Sequence, residues 1–220
     1  MMEVASAIVQ NNEGINFLER GLHKHALFKF QEAARILYQV TKRIKKNVDS
    51  GSPEMQPRIE SRTECWINEK SILNENLFIR SKPIFMKASS DSVETSHCTL
   101  ESATVLLNMA MTYHIDSQIP NCIEDALNNA IKLYEMAYSL GLKIQADDRS
   151  NQIILTVLNN LGQIYFEIGE YSRSRLYFED LNMYVSVLRP MGHDDIICDR
   201  KECMLNALVL LNPYRSAPAA

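Results

Sequence analysis

Asn160-Leu161-Gly162-Gln163-Ile164-Tyr165 reads Asn, apolar, small, two variable residues, then an aromatic, and Asn108-Met109-Ala110-Met111-Thr112-Tyr113 repeats that order. A weaker third copy is Asn12-Glu13-Gly14-Ile15-Asn16-Phe17, with Glu13 in the apolar place. A second run of helical period follows each copy. After Tyr165 come Gly169, Tyr171, Ser174, Phe178 and Leu181; after Phe17, at the same offsets, come Gly21, Ala26, Phe30 and Ala33. Such internal repetition is the first thing to settle, because it decides the architecture. A small residue in the third place (Gly14, Ala110, Gly162) lets a partner helix come close, and a second small residue (Ala26, Ala130, Ser174) does so from the other side. Gly21 and Gly169 fall just past the first helices, where a left-handed cap residue is wanted.

These residues resemble the tetratricopeptide repeat (TPR), a helix–turn–helix unit of 34 residues. Two repeats align without gaps at about 7–40 and 155–188. The middle one, at about 103–144, has Ala130, Tyr134 and Ala137 about eight residues late, behind an enlarged turn from His114 to roughly Cys122 with Pro120 inside. The chain is also similar to short TPR-like proteins that occur in many copies in some algal genomes. That likeness lies in Phe78-Ile79-Arg80-Ser81-Lys82-Pro83, the Asn108–Tyr113 motif and the Ala-Pro-Ala-Ala tail, and it brings no activity with it. The expected fold is all-α. It would be a single TPR-like helical-hairpin solenoid of about three repeats over 1–220, with an irregular insert and a C-terminal capping helix. An ordinary helical bundle with coincident spacing is the alternative.

The insert, about 47–97, opens on Asp49-Ser50-Gly51-Ser52-Pro53, a loop signal. Leu77 to Met86, rich in β-branched and aromatic residues around Pro83, reads as extended chain or a short edge strand. It is expected to lie across the helices and bury Trp66, Phe78, Ile79 and Phe85. After the turn at Pro190-Met191-Gly192-His193, residues 194–212 place Ile197, Met204, Leu208 and Leu211 on one helical face. A solenoid needs such a helix over its last apolar face.

Composition narrows the function. The 220 residues are 46% hydrophobic and 23% charged, with a net charge of −4, so no global field draws in nucleic acid or anionic membrane. Seven glycines and seven prolines are about half the usual share, which favours long helices. Cysteines 65, 98, 122, 198 and 203 are odd in number and lack CxxC spacing, so neither a disulfide framework nor a zinc site is expected. No apolar run approaches the ~20 residues of a membrane span. The start, Met-Met-Glu3-Val4, lacks the pattern of a secretory signal. The expectation is a reduced, soluble, cytoplasmic protein, with a nuclear location as the alternative.

By resemblance, ligand-facing places fall on the first helix of each repeat. They are Ile8, Asn11, Ile15 and Leu18, then Thr104, Leu107, Met111 and His114, then Thr156, Asn159, Gln163 and Phe166. The expected groove is therefore Asn11, Ile15, Leu107, Met111, Asn159, Gln163 and Phe166. Leu107, Met111 and Phe166 would supply apolar contact, and Asn11, Asn159 and Gln163 would pair with peptide backbone. The set holds no cation. Where the chaperone-tail clamp of TPR domains needs lysine, asparagine and arginine, this chain has Asn11, Ile15, Thr156 and Asn160, so a chaperone C-terminal tail is excluded as partner. Asn12, Asn108 and Asn160 are read as structural repeat residues.

Lys42-Arg43-Ile44-Lys45-Lys46 is the one basic run. It is read as cations complementing a helix C-terminus, with a nuclear-targeting or nucleic-acid patch as the sharper alternative. Residues 1–48 carry eight basic against four acidic side chains, and 97–150 carry three against seven. His97-Cys98 has no visible base or oxyanion site to make a nucleophile, and His193, Cys198 and Cys203 are five apart, which stacks no ligands on one helical face. Phosphate-cradling glycine loops and GxSxG or HExxH motifs are absent. A non-catalytic adaptor without cofactor or metal is expected, binding a peptide or partner helix in its groove. The alternative is a self-associating or self-inhibited module with the 47–97 insert in that groove.

Overall fold

The computed structural model describes residues 2–48, 82–87, 95–120, 123, 125–144 and 148–188. Among them the protein is all-α, with no strand. The helices are α1 (Met2–Glu19), α2 (His23–Val48), α3 (Thr95–Asp116), α4 (Ala126–Gly141), α5 (Asp148–Glu167) and α6 (Tyr171–Leu188). The chain divides into two compact units; α1 to α4 with Pro83–Lys87 lie in the first, α5 and α6 in the second. In the first unit α1 packs on α2, α2 on α3, and α3 on α4, while α1 meets α3 only slightly. In the second, α5 packs on α6.

One steric device builds the first and the last helix pair. Gly14 lies under the Phe30 ring and Gly162 under the Phe178 ring, and both phenylalanines are fully buried. The spacing from glycine to aromatic is identical in the two pairs. Burying each ring stabilises by roughly 1.5–3 kcal/mol, which the missing glycine Cβ makes available. Between α5 and α6, Ser174 Oγ also donates to the Gly162 carbonyl at 2.7 Å. Glu13, which breaks the apolar place in the first copy, is satisfied by Lys29 Nζ at 2.6 Å.

Both turns carry the expected glycine. Gly21 has φ 72° and Gly169 φ 82°. Around them Leu22 N–H donates to Phe17 O at 2.9 Å and Glu170 N–H to Tyr165 O at 2.8 Å, while each glycine N–H reaches back three residues. This is the Schellman closure, which pairs the last helical carbonyls and needs a left-handed residue.

The middle connection differs from its expected place. α3 continues through His114 to Asp116, so the enlarged turn begins at Ser117. Asp116 anchors it: Oδ2 accepts from Ile123 N–H at 2.7 Å, and Oδ1 lies 3.0 Å from His23 Nδ1 on α2. The late residues Ala130, Tyr134 and Ala137 are all buried on α4.

α2 runs to Val48 and α3 starts at Thr95, which narrows the expected insert at both ends. Its residues 82–87 form neither helix nor strand. Phe85, expected to bury, is instead 50% exposed, while Met86 is only 2% exposed and joins the core with Ala7, Phe30, Cys98 and Val105. Alternation explains the exchange: neighbouring side chains of an extended chain point to opposite faces, so Met86 inward puts Phe85 outward. Trp66, Phe78, Ile79, the tail and the expected capping helix 194–212 with Ile197, Met204, Leu208 and Leu211 lie outside the described residues.

Candidate functional site

The site is made of carboxamides on the first helix of two successive pairs, set against the backbone of the segment after Pro83. Asn12 on α1 grips one residue twice: its Nδ2 donates to Met86 O at 2.8 Å, and its Oδ1 accepts from Met86 N–H at 3.0 Å. Asn108 on α3 grips Ile84 in the same way, donating to its carbonyl and accepting from its N–H, each at 3.0 Å. In an extended chain the N–H and C=O of one residue point to the same side, and those of its neighbours to the other. The two asparagines thus pair with alternate residues as an adjacent strand would. Pro83 helps hold the segment extended through its fixed φ, and it has no N–H to leave unpaired.

The clamp is braced from within. Asn108 Nδ2 also donates to Asn11 Oδ1 at 2.9 Å. Asn11 Nδ2 donates in turn to Ile84 O at 3.3 Å and to Asn12 Oδ1 at 3.2 Å. Every carboxamide oxygen in this network therefore faces an N–H, and every amide nitrogen faces an oxygen. Flipping any one of the three would set like against like. Each bond is worth about 0.5–1.5 kcal/mol net, and an orphaned buried partner costs about 1–3 kcal/mol, so the network is strongest when complete.

Of the residues read as a groove, Asn11, Ile15, Leu107, Met111, Asn159 and Gln163 are buried and Phe166 is half-buried. Asn11 alone among them bonds to the 82–87 segment. Ile15 belongs to the core of the first unit, and Leu107 and Met111 are fully buried. In the second unit Asn159 Nδ2 donates to Asn160 Oδ1 at 3.0 Å, matching the Asn11–Asn12 bond, and Gln163 Nε2 donates to Glu167 Oε1 at 2.9 Å. Phe166 meets the Tyr171 ring edge-on at 5.4 Å between centroids.

Asn12 and Asn108, read from the sequence as structural, are the two residues that hold the segment. The signal that could have found them is their cost. Asparagine is a poor helix-interior residue, and a buried carboxamide needs partners that a helix does not supply. Its return at one place of each repeat asked for an acceptor and a donor from elsewhere.

The titratable groups nearby are held in structural roles. His97 Nε2 lies 3.6 Å from the buried Glu101 carboxylate. Cys98 is fully buried, and its thiol is pushed above the usual range, first by burial and then by the Glu101 charge, so it stays un-ionised. His114, placed by the repeat pattern on the ligand face, is fully buried, with Nδ1 3.5 Å from Tyr134 Oη. Burial lowers its pKa to about 4. Within the basic run, Arg43 pairs with Glu3 on α1 at 2.6 Å, and Lys42 and Lys46 are exposed. No cluster of three His, Cys, Asp or Glu side chains is placed to hold a metal among the described residues. No described helix is long and apolar enough to cross a membrane.

Comparison with protein families, with curated proteins and with solved structures finds no match for this chain.

Proposed function

We propose that this protein is a non-catalytic interaction module, a TPR-like array that reads extended polypeptide through its backbone. In this reading residues 83–87 are the module's own occupant of the reading face on α1 and α3. One observation carries it: Asn12 and Asn108 each bond to both the N–H and the C=O of one residue, Met86 and Ile84. Between the two occupants expected from the sequence, a partner peptide and the chain's own insert, the clamp favours the insert at this face. The un-ionised Cys98, the core position of His114 and the pairing of His23 with Asp116 support a role without catalysis.

The reading is tested by amide hydrogen exchange. In the wild-type chain the Ile84 and Met86 amides are expected to exchange at least tenfold more slowly than in an unstructured peptide, and in Asn12→Ala/Asn108→Ala to exchange freely while α1 and α3 stay protected. Unchanged protection of those two amides in the double variant would remove the clamp as the holding element.

A further inference from the structure

The occupied face carries an imprint of what it accepts. Its polar contacts are to main-chain N–H and C=O of the first and third residues of Ile84-Phe85-Met86, groups that every non-proline residue offers. Side-chain contact is concentrated at one place. Met86 enters the core, Ile84 is half-buried, Phe85 is half-exposed, and Lys82 and Lys87 are exposed. Backbone hydrogen bonds have no preference for the chain they come from, and one extended segment can replace another bond for bond. Met86 joins the buried apolar cluster that holds Ala7, Phe30, Cys98 and Val105, and an unbranched apolar side chain suits such a place.

Resting on the reading above, we propose that the α1–α3 face binds, in trans, an extended segment of a partner polypeptide. The segment has the pattern aliphatic, any residue, then an unbranched apolar residue such as methionine, and it takes the place of Ile84–Met86. The two outer positions exclude proline and the middle one is unselected.

The test uses the full chain carrying Ile84→Pro and Met86→Pro, which deletes both gripped N–H groups of the resident segment and leaves the asparagines untouched. The probe is the fluorescein-labelled peptide Lys-Pro-Ile-Phe-Met-Lys with blocked ends. It is expected to bind this variant at least tenfold more tightly than the wild type, whose own segment competes. Adding Asn12→Ala and Asn108→Ala should abolish binding. N-methylation of the probe's methionine amide, which removes one N–H and keeps the side chain, should weaken it at least tenfold, while replacing the probe's phenylalanine by alanine should change affinity less than threefold.

Absence of binding to the proline variant with its helices intact, or equal binding of the N-methylated probe, overturns the proposal. If the proline variant does not fold, the wild-type chain serves: excess unlabelled probe should speed exchange at Ile84 and Met86, and no change overturns it. Wild-type chains that trade this segment with one another in mixed-label dimers would make a second copy the occupant and also overturn it. Failure here with free exchange in Asn12→Ala/Asn108→Ala leaves the clamp standing and rejects only the partner.

Discussion

Gly162→Val is expected to destabilise the protein by about 3 kcal/mol, at the upper end of what overpacking a filled core costs. A Cβ built at Gly162 would stand 2.8 Å from both Cε2 and Cζ of Phe178, far inside van der Waals contact, and the ring is fully buried. The same replacement at Gly14 would press on Phe30 Cε1 at 2.6 Å and should cost at least as much. Valine's better helix propensity returns only a few tenths of a kcal/mol, so sterics win. Chemical denaturation of Gly162→Val, Phe178→Ala and the double variant checks the cause. If ring and glycine act on each other, the double variant loses clearly less than the sum, because valine fills part of the space left by the ring. Strict additivity would refute the ring contact. Gly169→Ala is the control: nothing stands within 4 Å of its Cβ, and the positive φ alone should cost about 1 kcal/mol.

Acid should weaken the fold through His114. Its pKa falls from 6.5 in the unfolded chain to about 4 in the fold because the imidazole is buried, and Nε2 meets no hydrogen-bond partner among the described residues. Above pH 6.5 both states hold the ring neutral and the group costs nothing. As pH falls from 6.5 towards 4, the unfolded chain takes up a proton that the folded chain refuses, so stability declines through that window and levels off below it. The full loss is about 3 kcal/mol, a large part of an ordinary domain's stability. Urea unfolding of the wild type and of His114→Phe at pH 7, 6, 5 and 4 should show the wild type falling by that amount relative to the variant. Parallel curves would mean that another group carries the acid sensitivity.

The helical hairpins could be read from sequence because each is a local device. Glycine, small residue and aromatic recur within one pair, and the cap glycines mark its turn, so no distant partner is needed to recognise Gly14 with Phe30 or Gly162 with Phe178. The clamp is the opposite case. Asn12 is explained by Met86 together with Asn11, and Asn108 by Ile84 and Asn11. Repeat pattern alone makes these residues look like scaffold. It also located Leu107 and Met111 on a ligand face without saying whether that face is open, and both are buried. Phe85 failed for a different reason. Hydrophobicity says that an extended segment will bury side chains, but the parity is set by which residues the asparagines grip. A shift of one residue would have put Phe85 inside and Met86 out.

The clamp also bears on the order in which the chain folds. The first and last helix pairs close loops of a few residues and the middle pair a slightly longer one, events of the fastest class. Asn12 and Met86 are 74 residues apart, so joining them carries the entropy of a long loop before any hydrogen bond rewards it. The pairs therefore form first and the segment docks onto them late. Weakening the asparagine network then speeds unfolding while leaving the folding rate almost unchanged, so these three carboxamides set how long the native chain lasts rather than how fast it is reached.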